Sequence, residues 1–275
     1  MTYLETLLAG EPIADTLVIN CHAHIDRTWG LPRDSMEPES MARVMDSLGV
    51  DVACISSARA LTGDVEGGND RVVAALDAFP RRFVGAAAVN PNYPEEIVVE
   101  LERAFAHPGF GMIKLHPEGH GHPIDGPGYE PVWPWAAERR IPVIIHTWFE
   151  GRGLDHPSQA AAVAERFPSV PVILAHSGGT PAGLQYCAAL ARRLPNIYLD
   201  TGTSPSYRHA VETLAEGGID RVLYGSDVSY LADPPQLAKV LGATLPDERK
   251  RVILGENMAR LLRATGRALP ALEGR

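Results

Sequence analysis

Two histidines separated by one residue, His22 and His24, stand in the segment Asn20-Cys21-His22-Ala23-His24. In an extended chain side chains alternate with period two, so both rings project to the same side and can reach one ion. Three further groups of matching chemistry occur far along the chain. They are His146 after Ile144-Ile145, His176 after Leu174-Ala175, and Asp227 after Tyr224-Gly225-Ser226. Neutral imidazole nitrogen with one carboxylate oxygen suits Zn2+ first, and also Mn2+ or Fe2+, whereas the oxygens are too few for a calcium cage. A single histidine at a strand end is more often a hydrogen-bonded structural residue than a ligand. The argument rests on the set, because five titratable groups at strand ends are costly to bury without partners or a metal.

The elements that must position these groups are short β-branched runs, each bounded by turn residues and followed by a segment of helical period. The runs are Thr16 to Cys21, Asp51 to Ser56, Phe83 to Val89, Gly111 to Leu115, Pro142 to Ile145, Val170 to Ala175, Asn196 to Asp200 and Arg221 to Tyr224. Between them lie helical candidates around Ser35 to Leu48, Asn69 to Phe79, Pro94 to Ala106, Tyr129 to Arg140, Ser158 to Phe167, Pro181 to Leu194 and Ser206 to Gly217, with a last one from Pro246 to Thr265. Several end on a helix stop, as in Leu48-Gly49, Phe79-Pro80, Phe167-Pro168 and Leu194-Pro195. Eight such βα units predict an α/β fold of the (β/α)8 TIM-barrel type as one domain over residues 1–275. An open doubly wound sheet satisfies the same alternation and is ranked second. In a barrel the C-terminal strand ends and the loops after them build the site, and the Gly/Pro/His-rich stretch from Pro117 to Gly128 reads as such a loop.

Composition narrows the function classes. The 275 residues are 45% hydrophobic and 21% charged, and no apolar run approaches the roughly 18 residues of a membrane span. A basic segment leading into an apolar stretch is not evident at the N-terminus, so a cytoplasmic location is the expectation. The net charge of −9 disfavours nucleic acid as a partner. A small-molecule substrate is the expected partner, and self-association into a homo-oligomer stays open. Cys21, Cys54 and Cys187 are too few and too scattered for a disulfide framework and read as buried small hydrophobes, with Cys21 facing away from Asn20 and His22.

The ordered motifs resemble the amidohydrolase superfamily, and within it the amidohydrolase-related branch that also contains metal-dependent decarboxylases. The residues that carry the resemblance begin with Asn20-Cys21-His22-Ala23-His24-Ile25-Asp26, Gly111-Met112-Ile113-Lys114-Leu115-His116-Pro117 and Ile141-Pro142-Val143-Ile144-Ile145-His146. They continue with Ala175-His176-Ser177-Gly178-Gly179, Leu223-Tyr224-Gly225-Ser226-Asp227 and Ile253-Leu254-Gly255-Glu256-Asn257-Met258-Ala259-Arg260. The family usually has Asp two residues before the first histidine, where this chain has Asn20.

The resemblance implies a divalent metal held by His22, His24, His146 and Asp227, with Asp227 also accepting a proton from metal-bound water. It implies a catalytic His176 that hydrogen-bonds water or substrate, or serves a second metal. Lys114 matches a position that is carbamylated and bridges two metals in some relatives, and that binds a substrate carboxylate or pairs with an acid in others. His116, Arg27, Trp29 and Trp148 are the substrate-binding candidates, each with an ordinary surface or packing alternative. His120 and His122 read as loop histidines. Hydrolysis of a C–N or C–O bond in a small amide, lactam, lactone or ester ranks first, by way of a metal-activated water. Non-oxidative decarboxylation of an aromatic or unsaturated carboxylic acid is the alternative. A scaffold that keeps only relics of a site would lack a ligand, and none is missing. A barrel deoxyribonuclease would carry Glu where this chain has Lys114.

Overall fold

The computed structural model describes residues 1–26, 37–150, 153–203 and 209–274. Eight strands run in chain order: β1 (Ile19–Ile25), β2 (Val52–Ser57), β3 (Phe83–Ala88), β4 (Phe110–Leu115), β5 (Val143–His146), β6 (Val172–Ala175), β7 (Ile197–Asp200) and β8 (Val222–Leu223). They pair parallel, each with the next, in a single eight-stranded sheet. The ring closes where the chain after β8 returns to β1. Cys21 N donates to Tyr224 O at 2.8 Å, Asp227 N donates to His22 O at 2.9 Å, and Ala23 bridges Val228 in parallel. This is the (β/α)8 TIM barrel that eight regular βα units predict.

Period two sorts the strand residues into layers. Ile19, Val52, Val84, Met112, Ile144, Ile173 and Leu223 belong to one apolar cluster with Leu269, Ala271 and Leu272, so the C-terminal segment closes the bottom of the barrel interior. Their strand neighbours, such as Ala53, Phe83, Ile113, Val143, Val172 and Val222, pack in a second cluster against the helices. Continuing the inner parity toward the C-terminal strand ends replaces hydrocarbon with Ser56, Lys114, His146 and Asp200. The polar end of the barrel is therefore the continuation of its own core.

Helices follow the expected places with shifted ends. The helix Val65–Ala78 starts earlier than Asn69, because Asp64 caps it by accepting from Gly67 N. The last helical stretch is interrupted, with Asp247–Arg251 and Asn257–Ala264 flanking a π-helical turn at Val252–Glu256. Among the described residues four α-helices escaped the periodic reading: Tyr3–Ala9, Ala58–Leu61, Pro117–His120 and Asp233–Leu241. The candidate from Ser206 is a helix at Ala210–Ala215, and the one from Ser35 is a helix at Pro38–Leu48; residues 35–36 and 206–208 lie outside the described residues. Among the described residues no helix is long and apolar enough to cross a membrane. The three cysteines are free and buried, as read from their spacing.

Candidate metal centre

The first strand runs on past Cys21 to Ile25, so His22 and His24 lie inside β1. Its register against β2 shifts between Asn20 and Ala23. That irregularity breaks the strict alternation expected for Cys21. Cys21 Sγ lies 3.8 Å from Asp200 Oδ1, and His22 Nδ1 lies 2.8 Å from Asp200 Oδ2, so consecutive side chains meet one carboxylate.

Both β1 rings are fixed through Nδ1. His22 Nδ1–H donates to Asp200, and His24 Nδ1 pairs with Ser56 Oγ on β2 at 2.9 Å. Because the Asp200 carboxylate only accepts, His22 presents its lone pair at Nε2, the arrangement in which an outer partner sets the tautomer of a metal ligand; the Ser56 hydroxyl, accepting from His24 Nδ1–H, would do the same for His24. The two Nε2 atoms are 3.1 Å apart, and Asp227 Oδ1 lies 3.3 Å from His22 Nε2 and 3.2 Å from His24 Nε2. A tetrahedral ion with bonds of about 2.0–2.1 Å has donor–donor edges of about 3.3–3.4 Å, so the two nitrogens and the oxygen form one face of such a polyhedron. The donor set fits a divalent metal.

Asn20 does not enter this centre. Its Nδ2 donates to Ser226 Oγ at 2.7 Å, while its Oδ1 accepts from the backbone of His22 and of Ser226, both at 3.1 Å. An amide can donate and accept in this way, tying β1 to the turn that carries Asp227, where a carboxylate could only accept.

Lys114 is 1% exposed, and its Nζ donates to His22 Nε2 at 2.9 Å. Burial lowers its pKa to about 8, against the opposing pull of Asp227 and Asp200. Burial also holds His22, His24 and His146 well below the usual imidazole range, with the Lys114 charge adding to the effect, and keeps them in the neutral form that binds metal. Asp227 moves the other way, its carboxyl pushed up to about 6 by burial while His176 and Lys114 oppose the shift.

His146 lies off the triad. Its Nδ1 is 3.1 Å from His176 Nε2, its Nε2 is 3.6 Å from Asp155 Oδ2, and its ring stacks on His116 at 4.1 Å between centroids. Among the described residues the convergent donor groups are His22/His24/Asp227 and His22/His176/Asp200. The second is already joined internally by the His22–Asp200 bond and by His176 N donating to Asp200 at 3.1 Å. His176 also donates from Nδ1 to Gly202 O at 2.5 Å.

Asp200 is the residue that sequence reasoning missed. It ends β7 as His146 ends β5, so polarity at a strand terminus was the signal available.

Trp148 flanks the His176 side, with ring centroids 6.1 Å apart. A Cβ at Gly179, where φ is +71°, would sit 2.3 Å from that indole, so glycine lets the turn after His176 and the ring approach. Tyr230 stands over the other flank, edge-on to His24 at 5.1 Å. His116 Nδ1 accepts from Gly119 N at 3.0 Å, capping the short Pro117–His120 helix. His120 pairs with Tyr129 and His122 with Asn92, so the loop histidines do not converge on the centre. Arg27 and Trp29 lie outside the described residues.

The family model described as amidohydrolase matches residues 19–264. Over 211 residues the chain is 23% identical to the decarboxylase orsB of Emericella nidulans, a match covering 59% of this chain and 64% of that one. The chain thus spans less than two thirds of that relative's length. The fold is shared with 5-carboxyvanillate decarboxylase LigW from Sphingomonas paucimobilis, at TM-score 0.69 and 18% identity over 90% of this chain and 99% of that one. It is shared also with 5-carboxyvanillate decarboxylase from Novosphingobium aromaticivorans, complexed with manganese and 4-hydroxy-3-methoxy-5-nitrobenzoic acid, at TM-score 0.72 and 17% identity over 92% and 98%. With the matched segment running from β1 through the last helix and taking in every donor of the centre, this chain belongs to the amidohydrolase family.

Proposed function

We propose that the protein is a non-oxidative decarboxylase of an aromatic or unsaturated carboxylic acid, working with one divalent metal held by His22, His24 and Asp227. The observation that carries this reading is the single open convergence of donors. Of the two convergent donor groups among the described residues, His22/His176/Asp200 is already joined internally by hydrogen bonds and shares His22 with the other, which leaves His22/His24/Asp227 as the one open set. Hydrolysis, which the superfamily resemblance ranks first, takes second place here. The decarboxylase names of the relatives support the same order. Manganese and zinc both suit the donor set, and a manganese-bound neighbour favours the former.

A bound divalent metal supplies Lewis acidity that orients the carboxylate and offsets its charge. The chain's own groups do the rest. Lys114 adds positive charge beside His22, which draws in an anionic substrate. Trp148 offers an apolar face for an unsaturated carbon skeleton. Cleavage of the C–C bond releases CO2 and leaves its electron pair on the ring or vinyl carbon, where a proton must arrive. Asp227, beside the two β1 histidines, is the first candidate to hold and deliver that proton, and His176 is the second. The test is CO2 evolution by metal-loaded protein across a panel of hydroxybenzoates and unsaturated acids, run beside amides, lactones and esters. CO2 release with an equimolar decarboxylated product is expected; turnover confined to the esters, lactones or amides would overturn the proposal.

A further inference from the structure

Beyond the residues that line the centre, a buried-edge amine contacts the loop that holds His176. β7 ends at Asp200, and the three residues after it have their backbone groups individually assigned. Thr201 N donates to Leu223 O at 3.1 Å, Gly202 N to Asp200 Oδ1 at 2.7 Å, and Thr203 N to Thr201 O at 2.8 Å. On the acceptor side the carbonyls alternate. Gly202 O accepts from His176 Nδ1, while Thr201 O and Thr203 O both accept from Lys239 Nζ, at 2.8 and 2.9 Å. Lys239 comes from the Asp233–Leu241 helix, far along the chain from the loop it holds.

One ammonium binding the carbonyls on either side of a third fixes the direction of all three. A flexible loop would otherwise turn such carbonyls to solvent. We infer that Lys239 is a positioning residue that holds the Thr201–Thr203 loop so that Gly202 O captures His176 Nδ1–H, leaving His176 Nε2 as the nitrogen that faces His146 and the centre. The inference concerns how His176 is held; only its effect on turnover rests on the decarboxylase proposal. Thr203 Oγ1 adds a second tie by donating to Gly179 O at 3.1 Å, which links the loop to the turn beside Trp148. Loss of the Lys239 amine strands Thr203 O and leaves Thr201 O with the Thr203 N–H alone, which loosens the loop, while His22, His24 and Asp227 keep their own contacts.

The test uses full-length protein loaded with diamagnetic Zn2+ and labelled with 15N at histidine, the His176 signals being assigned by their loss in a His176→Ala variant. Wild-type protein is expected to carry the His176 proton at Nδ1. In Lys239→Met that signal should give way to a mixture of tautomers while metal content stays at the wild-type level, and Lys239→Arg, which keeps charge and donors, should restore the wild-type signal. With a substrate in hand, Lys239→Met should lower kcat about 10- to 100-fold, the usual cost of losing an outer partner, with KM little changed. A wild-type His176 protonated at Nε2 would overturn the inference whether or not the variant folds. So would a folded Lys239→Met whose His176 signals match wild type. A changed ring signal with unchanged turnover would uphold the clamp and count against His176 in the proposed reaction.

Discussion

The two sides of the barrel mouth are built differently. At the seam between β1 and the chain after β8, His22 and His24 are each fixed at Nδ1, Asn20 ties the strand to Ser226, and Asp227 N donates to His22 O. Across the mouth, on β4 to β6, the rings of His116, His146 and His176 chiefly contact one another, by stacking or edge-on. The seam rings are anchored at Nδ1 by a carboxylate and a hydroxyl, whereas on the opposite side the rings of His116 and His146 stack on one another and His176 is tied to a backbone carbonyl. Under the proposed function the difference is a division of labour, with metal and, through Asp227, a proton handled at the seam and substrate received opposite. Backbone strain marks both sides, since Asp26, His176, Ser177 and Asp227 all have positive φ without being glycine. Such conformations cost about 1–3 kcal/mol each and persist where surrounding structure imposes them.

The strongest way to break the comparison is to remove Asp227, which serves both metal and proton. Asp227→Ala should abolish metal retention and lower kcat/KM by at least about 10³-fold, as measured by elemental analysis and steady-state assay on folded protein. The next effect separates the two sides directly. His24→Ala should lose metal as Asp227→Ala does, whereas His146→Ala should bind it more tightly than His24→Ala in a competition titration against a chelator; equal affinities would place His146 in the seam's own set. Asp200→Asn keeps the shape of the outer partner but removes the charge that orients His22. Metal affinity should fall about 10- to 100-fold, read by the same titration. The smallest effect is on pH. Before metal binds, Asp227 titrates near 6 because it is buried, so protons compete with metal below that value and not above it. Apparent affinity should decline by about tenfold per unit as pH drops below 6, and a flat profile from pH 7 to 5 would mean that Asp227 is not a ligand.

Much of this was legible in the residues because the site continues the barrel's own periodicity. The eight runs were visible as β-branched segments, and the parity that buries Met112 and Ile144 also turns Lys114 and His146 inward. That His22-Ala23-His24 closes the first strand was read from its spacing, but the register shift within it was not legible, because it is set by its neighbours on β2 and after β8. Asp200 was missed because a lone aspartate closing a strand has no spaced partner in sequence; its partners Cys21, His22, His176 and Gly202 meet only in the closed ring. The Asp233–Leu241 helix was hidden behind Pro234-Pro235, which fit the first turn of a helix as well as a loop. His146 shows the limit in the other direction, since its strand position was foreseen but the direction of its ring depends on His176 and Asp155.

Metal content per chain tests the central claim most directly, measured by elemental analysis on protein purified without chelators and repeated for Lys114→Ala. The account predicts about one divalent ion in both proteins, with Lys114 acting as an amine beside the centre. About two ions falling to one in the variant would mean a bridging Lys114 and a second metal on the β5/β6 side, and would contradict the single seam-held centre.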